Sequence, residues 1–497
     1  MRPLRIWLVL AGMTLAALAQ TNAPDVRVLS LQDCIQSALQ KNLDLQIARY
    51  IPPLALNDLQ AAYAGYDPGL SLGGAHNYSM TSGGFNPQIN TLTASTTSDA
   101  NSFNGSIGGL VPWGLNYSLS GNISEAYGTA AGSPFDQSRG QAGISLTQPL
   151  LKNFWIDQTR LNIRVAKNRV KYSELTLKQQ VMQTVTTVES AYYDLIYDQE
   201  NVVVQQKAVE LALQLVTENK KRVEVGALAP LDEQQAEAQA ASSQAALIAA
   251  RSALAVQEHL VKQLITDEYS RWSSVKLEPS ESLSSPRQFF NLQDSWSKGL
   301  TQRPDLLQAK LDIERQGVTI KYNYNQLFPE LNVVGTYGHT AAGFSEFSSS
   351  LYQIQQGSLP YYSYGGTLTF PIGNHSARAA YRGSKMTMEQ LVLTLKKLEQ
   401  NIMVQIDNDI KQAEANYQQV AAAKTAREYA AAALDAEQKK LESGKSTTYT
   451  VLQMQRDLTS ARGTEIQALD NYNKSLSQLS LDEGTTLQRL GIVFEGK

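Results

Sequence analysis

The sequence predicts a fold in two unlike parts: strands suited to a membrane β-barrel, and α-helices long enough to build a coiled-coil wall or bundle. Three observations carry this. The chain is written twice, each copy holds a very long helical hairpin, and the few strand-like stretches alternate greasy and wet residues between loops almost free of charge.

The duplication is read from three blocks in one order. Leu31-Gln32-Asp33 recurs as Leu292-Gln293-Asp294, and at the same offset Leu39 meets Leu300, Asp44-Leu45 meets Asp305-Leu306, and Pro68 meets Pro329. Leu146-Thr147-Gln148-Pro149 is echoed by Leu368-Thr369-Phe370-Pro371, and Val225-Gly226 by Ser443-Gly444. Each repeat reads as helix, strand, polar loop, strand, very long helix, tight turn and long returning helix.

In the strands, Leu70, Leu72, His76, Tyr78 and Met80 alternate with Ser71, Gly73, Ala75, Asn77 and Ser79. Leu115, Tyr117, Leu119 and Ile123 alternate with Asn116, Ser118, Ser120 and Asn122, and repeat two offers Leu331, Val333, Tyr337, Leu368 and Phe370. A period of two gives one apolar and one polar face, as in a barrel with lipid outside and water inside; a β-sandwich lobe is the soluble alternative. The stretches 81–103, 125–140 and 340–360, rich in Ser, Thr, Gly and Asn, read as loops. Residues 81–150 carry four charged side chains and 331–372 carry one.

The helices give the stronger signal. From Asp157 to Glu224 there is neither proline nor glycine, and Val181, Val185, Val188, Tyr192, Leu195, Val202, Val209, Leu213 and Val216 fall at heptad steps, with Gln199 and Gln206 at two further core positions. Such a helix is on the order of 100 Å long. The return, Leu231 to Asp267, is crowded with Ala and Gln. Repeat two does likewise through Leu391, Leu395, Leu398, Ile402, Ile406, Ile410, Ala413, Tyr417 and Val420, with a stutter after Ile402. Helices of this length must pack side by side in a wall.

The boundaries follow. A signal peptide spans 1–19, with Arg2 and Arg5 before the apolar run Ile6–Leu18 and a small-residue cleavage site at Ala17-Leu18-Ala19. Repeat one spans 20–270, with strands at about 69–80, 105–123 and 141–149 and a hairpin over 154–269 whose tip lies near 226. A linker covers 271–284. Repeat two spans 285–497, with strands at about 331–340 and 363–372 and a hairpin over 374–490 whose tip lies near 444.

Composition excludes several classes. Without Arg2 and Arg5 the chain carries 41 basic against 46 acidic residues, and no basic stripe or aromatic platform suggests nucleic acid. The single cysteine, Cys34, allows no internal disulfide. No other run approaches the roughly 18 apolar residues of a spanning helix, so any membrane-embedded part must be a barrel.

Together these parts resemble the TolC family of outer-membrane efflux proteins over essentially the whole mature chain. The markers are Leu31-Gln32-Asp33, Arg303-Pro304-Asp305-Leu306, Thr147-Gln148-Pro149-Leu150-Leu151 and Phe370-Pro371-Ile372. The resemblance implies a homotrimer in the outer membrane whose strands close one β-barrel, continued by an α-helical barrel through the periplasm. It implies a passive duct in efflux or type I secretion, working with a periplasmic adaptor (membrane fusion) protein and an inner-membrane RND or ABC transporter. Four strands per chain cannot close a barrel, whereas three chains give twelve. One departure stands out: an extra alternating pair, about 105–111 and 115–123, which either caps the barrel or adds strands to it.

No catalytic, metal or cofactor constellation is found. Gly444-Lys445-Ser446 lacks the glycine of a P-loop, where Lys439 stands. His76, His259, His339 and His375 lack metal-ligand spacing, and Asp407 and Asp409, two apart on a helix, read as solvated. The candidate sites are the two hairpin tips, Val225, Gly226, Ala227, Leu228 and Ser443, Gly444, Lys445, Ser446. Locally they are glycine turns with basic residues in the preceding helical turn; the resemblance implies that they also meet the adaptor. At the family's inner mouth, the acidic positions of repeat two fall on Thr450 and Gln453 and the gating arginine on Ser446, so only Asp232, followed by Glu233, keeps an acid. Asp232 also fits a plain helix N-terminus. The competing reading of the whole chain is a periplasm-spanning coiled-coil tether without a conduit.

Overall fold

The structure, a computed structural model, describes residues 26–493 apart from 89, 93, 131, 345 and 346. The signal peptide over 1–19 lies outside the described residues. In chain order the elements are β1 (Val26–Leu29), α1 (Leu31–Lys41), α2 (Leu43–Ala48), α3 (Ile51–Tyr63), β2 (Gly69–Thr81), β3 (Phe85–Asn86), β4 (Thr91–Leu92), β5 (Thr96–Leu110), β6 (Asn116–Ala130), β7 (Ser133–Pro149) and α4 (Gln158–Glu224). Then come α5 (Pro230–Ile265), α6 (Tyr269–Trp272), β8 (Lys276–Pro279), α7 (Leu292–Gln302), α8 (Pro304–Asn325), β9 (Glu330–Phe344), α9 (Phe347–Gln356), β10 (Pro360–Thr369), α10 (His375–Glu442), α11 (Thr448–Asp482) and α12 (Thr486–Arg489).

The chain forms two compact units. One takes residues up to 46 with 184–289 and 411–478; the other takes 47–183, 290–410 and the stretch from 479.

The first unit holds the tip-ward parts of both helical hairpins. Its seam is the heptad residues Val185, Val188, Tyr192, Leu195, Ala413 and Val420, all buried. Tyr192 donates through its hydroxyl to the carbonyl of Leu29 at 3.0 Å, and Tyr472 to that of Pro286 at 2.6 Å, so each buried phenol is satisfied. The segment 271–284 is more than a linker: β8 within it pairs in parallel with β1, burying Leu277. Cys34 is buried, which pushes its thiol up to about 12 and makes it unreactive. The repeated Leu-Gln-Asp motif proves to be a helix start. Ser30 caps α1 by accepting from the Asp33 amide at 3.1 Å while Asp33 accepts from the Ser30 amide at 3.1 Å.

The second unit contains the same start signal in α7, where Asn291 accepts from the amides of Gln293 and Asp294. Pro304 opens α8, and Leu306, Ile402, Ile406, Ile410 and Leu479 form a closed apolar cluster. Arg303 donates to Asp305 through Nε and Nη2 (3.1 and 2.8 Å) and to Asp482 through Nη1 at 3.0 Å, tying the turn before α8 to the end of α11. The marker Arg303-Pro304-Asp305-Leu306 is thus a structural corner. Asp409 departs from the sequence reading. It is half-buried rather than solvated, and burial, followed by the hydrogen bond and charge of Asp482, pushes it up to about 7 against the pull of Arg303.

This unit also holds an antiparallel sheet of six strands in the order β10-β9-β7-β6-β5-β2. The extra pair therefore lies within the sheet, as β5 and β6 between β2 and β7, and each of its strands is longer than expected. Residues 96–103, 125–130 and 133–140 are strand rather than loop, and 347–356 is helix. They looked like loops because polar residues occupy both faces there, which erases the period of two while the backbone ladder continues. The last strand ends at Thr369, so Phe370, Pro371 and Ile372 lie beyond it, and α4 begins at Gln158 rather than near 154.

Candidate functional site

The sheet sorts its side chains by chemistry. Pairing runs Leu70↔Ile107↔Leu119↔Ile144↔Tyr337↔Tyr362, so these six side chains share one face across all six strands. Leu72, Phe103, Ile123, Leu146, Val333, Tyr364 and Leu368 occupy the same face, and most of them are bare: Leu72 is 79% and Tyr364 86% exposed. On the opposite face, Ser71↔Ser106↔Ser120↔Gly143↔Gly338↔Tyr361 form the neighbouring row, with Asn104, Asn122, Gln141, Thr336 and Ser363 around it. Hydroxyls bridge strands there, Ser71 to Ser106 at 2.8 Å and Thr336 to Ser363 at 2.5 Å. Toward the hairpin ends the apolar face is interrupted by an ionisable row, with Tyr78 and Met80 beyond it on β2. His76 contacts Asn101 at 2.8 Å, Asn101 reaches Glu125 at 3.4 Å, and Asp99 lies 3.6 Å from His76. A contiguous bare apolar area of this extent marks a surface made for another apolar phase.

Helix α9 lies on that apolar face. Phe347 meets Phe103 edge-on with ring centroids 5.6 Å apart, and Ile354 sits over Gly140, where a Cβ would fall 2.8 Å from its Cδ1. Sequence reasoning missed this helix, although Phe347, Leu351 and Ile354 stand at i, i+4 and i+7.

The two hairpin tips, both in the first unit, close in the same way. Gly226 has φ +75° and Gly444 φ +69°, the left-handed conformation that ends a helix. The Ala227 amide donates to Arg222 O at 2.7 Å, and the Lys445 amide to Lys440 O at 2.8 Å. Arg222 also donates to Leu441 O at 3.3 Å, and buried Asn219 donates to Asp232 O at 3.2 Å and to the Thr448 hydroxyl at 3.4 Å. The structure thus brings the tips together over an apolar cluster of Leu215, Leu434, Leu441, Val451 and Leu452. Ser446 donates to Glu437, which together with Lys440 at 2.9 Å holds that carboxyl below its usual range. Val225, Gly226, Ala227, Ser443, Gly444 and Lys445 are exposed, while Leu228 and Ser446 are half-buried.

At the expected inner mouth, Asp232 and Glu233 lie in the first turn of α5, after Pro230. Thr450 bonds Thr447 at 2.9 Å and Gln453 donates to Asp457 at 2.9 Å, both on α11. The four residues are half-buried, and these bonds keep 450 and 453 on their own helix. Among the described residues there is no group of His, Cys, Asp and Glu that could hold a metal, and no helix long and apolar enough to cross a membrane.

A profile of the outer membrane efflux protein family matches residues 84–265 and 296–482. The chain belongs to that family. Its place is the outer membrane, and the family is a class of channels rather than of enzymes. It is 25% identical over 363 residues to the outer membrane efflux protein BepC of Brucella suis biovar 1 (strain 1330), spanning 72% of this chain and 75% of that protein. The fold matches the outer-membrane channel OprN with a TM-score of 0.68 at 15% identity, over 92% of this chain and 90% of that one. It matches the CmeC outer membrane channel of Campylobacter jejuni with a TM-score of 0.67 at 15% identity, over 97% and 94%.

Proposed function

We propose that this efflux-family chain is one subunit of a homotrimeric duct. Through it an inner-membrane RND or ABC transporter would drive cargo from the periplasm to the exterior, in tripartite efflux or type I secretion. The observation that carries the reading is the sorting of the sheet. One face is aliphatic and aromatic across all six strands; the other is mainly serine, asparagine, threonine and glycine. The first suits lipid and the second suits a water column. A wall of small hydroxyls and amides offers cargo weak, replaceable contacts, so the duct is passive and the pump supplies the drive. The helical hairpins continue the duct into the periplasm. Their tips, residues 225–228 and 443–446, are the surface for the adaptor's helices, because the exposed glycines let another backbone approach closely.

The test is reconstitution. Protein extracted from envelopes with detergent should run as three chains and give stepwise ion conductance in planar bilayers. A buffer-soluble monomer without conductance would instead make the chain a tether.

A further inference from the structure

We propose that this protein contributes six strands to the barrel wall, and that β2 of one copy pairs with β10 of the next, so that three copies close an eighteen-stranded barrel. The proposal rests on the trimeric-duct reading above and sets the width of that duct.

Three features point this way. First, β5 and β6 are full members of the wall. The apolar row passes through Ile107 and Leu119 and the polar row through Ser106 and Ser120, each in register with the strands on either side. A cap standing clear of the membrane has no need of an apolar face at the same level as Leu70 and Ile144. Second, the directions match. Every neighbour in the six-stranded sheet is antiparallel, so with an even number of strands the two edges, β2 and β10, run in opposite senses. Joining the β2 edge to a neighbour's β10 edge continues the alternation around a closed ring. Third, both edges lack the devices that normally block edge pairing. β2 has no proline, lysine, arginine or acid and is exposed along its whole length, and the only proline of β10 is its first residue, Pro360. Six strands fall short of the roughly eight that the smallest membrane barrels use, and hydrocarbon does not tolerate open edges. Because diameter grows about linearly with strand number, eighteen strands give a barrel roughly half again as wide as twelve.

The experiment uses disulfide trapping in the full chain, with Cys34→Ala as background. Ser71→Cys with Ser106→Cys tests whether β2 lies against β5. Ser71→Cys with Ser145→Cys tests the alternative, in which β5 and β6 leave the wall and β2 lies against β7. In the six-stranded sheet the latter pair is three strand spacings apart, about 14 Å, beyond disulfide reach. For closure, cysteines at Ser71, Gly73 or Ala75 on β2 are combined with cysteines at Ser363, Gly365 or Thr367 on β10, all on the polar face. The expected result is loss of both free thiols in most chains for 71 with 106, and no loss for 71 with 145. At least one closure pair should give a reducible covalent trimer in the outer-membrane fraction. Trapping of 71 with 145 in place of 71 with 106 overturns the eighteen-strand wall and leaves the duct standing. A conducting three-chain particle with no closure pair linked overturns the β2–β10 seam. A covalent ladder ending at two chains means a twelve-stranded dimer and sinks both eighteen strands and the trimer. A monomer without conductance removes the duct reading itself.

Discussion

The two helical hairpins are almost the same length, 67 and 36 residues in the first against 68 and 35 in the second. The sheet is unequal: β2, β5, β6 and β7 precede the first hairpin, and only β9 and β10 precede the second. The difference follows from geometry. Three or four residues added to a single helix lengthen it by about 4.5–6 Å, out of step with its partner, and turn every later side chain by roughly 40–60° away from the seam unless the heptad is restored, so length is tightly constrained. A β-hairpin added between two antiparallel strands returns the chain in the right direction and leaves every older pair intact. Growth is therefore tolerated in the sheet and resisted in the helices.

The tips allow the strongest test of hairpin equivalence. A Cβ built at Gly226 or at Gly444 meets nothing of this chain within 4 Å, so the effect of substitution on the chain's own stability there is conformational rather than steric. Gly226→Val and Gly444→Val should each add about 1–2 kcal/mol of left-handed strain, in equal measure. Trypsin cleavage after Arg222 and after Lys440 should then accelerate to similar extents in the two variants. The double variant should lose most dye export from cells that rely on this channel, with outer-membrane yield unchanged. Unequal acceleration would break the equivalence; unchanged export, or export and yield falling together, would leave the tips as turns alone.

How much of this was legible in the sequence differs between the same two regions. The second seam was read correctly along Ile402, Ile406, Ile410 and Ala413, because a helix repeats its burial every few residues and each position corroborates the next. In the first hairpin the seam drifts. Leu213 is exposed while Ala212 and Leu215 are buried, and the polar residues Gln199 and Gln206 gave no anchor to detect the slip. The sheet was legible only where its faces differ. Leu119 and Ile123 announce a face, but Asn101, Glu125 and Ser138, further along the same face, are as polar as the residues opposite them, so these parts of β5, β6 and β7 read as loop, Phe103 included. The tip turns could be placed from glycine alone. The hydrogen bonds from Asn219 and Arg222 that join them could not, since they link residues far apart in the chain.

A smaller effect separates the hairpins at one buried position. Counting back equally from the tip glycines, Asp409 stands opposite Ala191. Its carboxyl is raised from 3.8 to about 7, so between about pH 4 and pH 7 the folded chain holds a proton that the unfolded chain releases. Stability therefore falls as pH rises through that window and stays at the lower level above it. Asp409→Asn copies the protonated form. It should melt at a higher temperature than wild type at pH 8 and close to wild type at pH 4. An advantage that does not vary with pH would mean that Asp409 ionises freely and that packing alone distinguishes the two chains.

The smallest expected effect concerns the returning helices. Asp232 stands as far past Gly226 as Thr450 past Gly444, so only the first hairpin carries acid at this level: α5 has Asp232 and Glu233 in its first turn, and α11 has none. Near a helix N-terminus each acid stabilises by roughly 0.3–1 kcal/mol, which is reason enough for both to be there. In a trimer the same residues would supply three copies of each carboxylate, and if they face the axis, crowded like charges attract multivalent cations. Thr450 and Gln453 add no second ring, so binding should be modest. Single-channel recordings with a trivalent cation on the periplasmic side should show partial block in wild type and none after Asp232→Asn with Glu233→Gln. Strong block that survives the double change would put the acidic constriction elsewhere. No block in wild type would leave the pair as helix-end residues, and the two hairpins would then be equivalent at the mouth as well as in length.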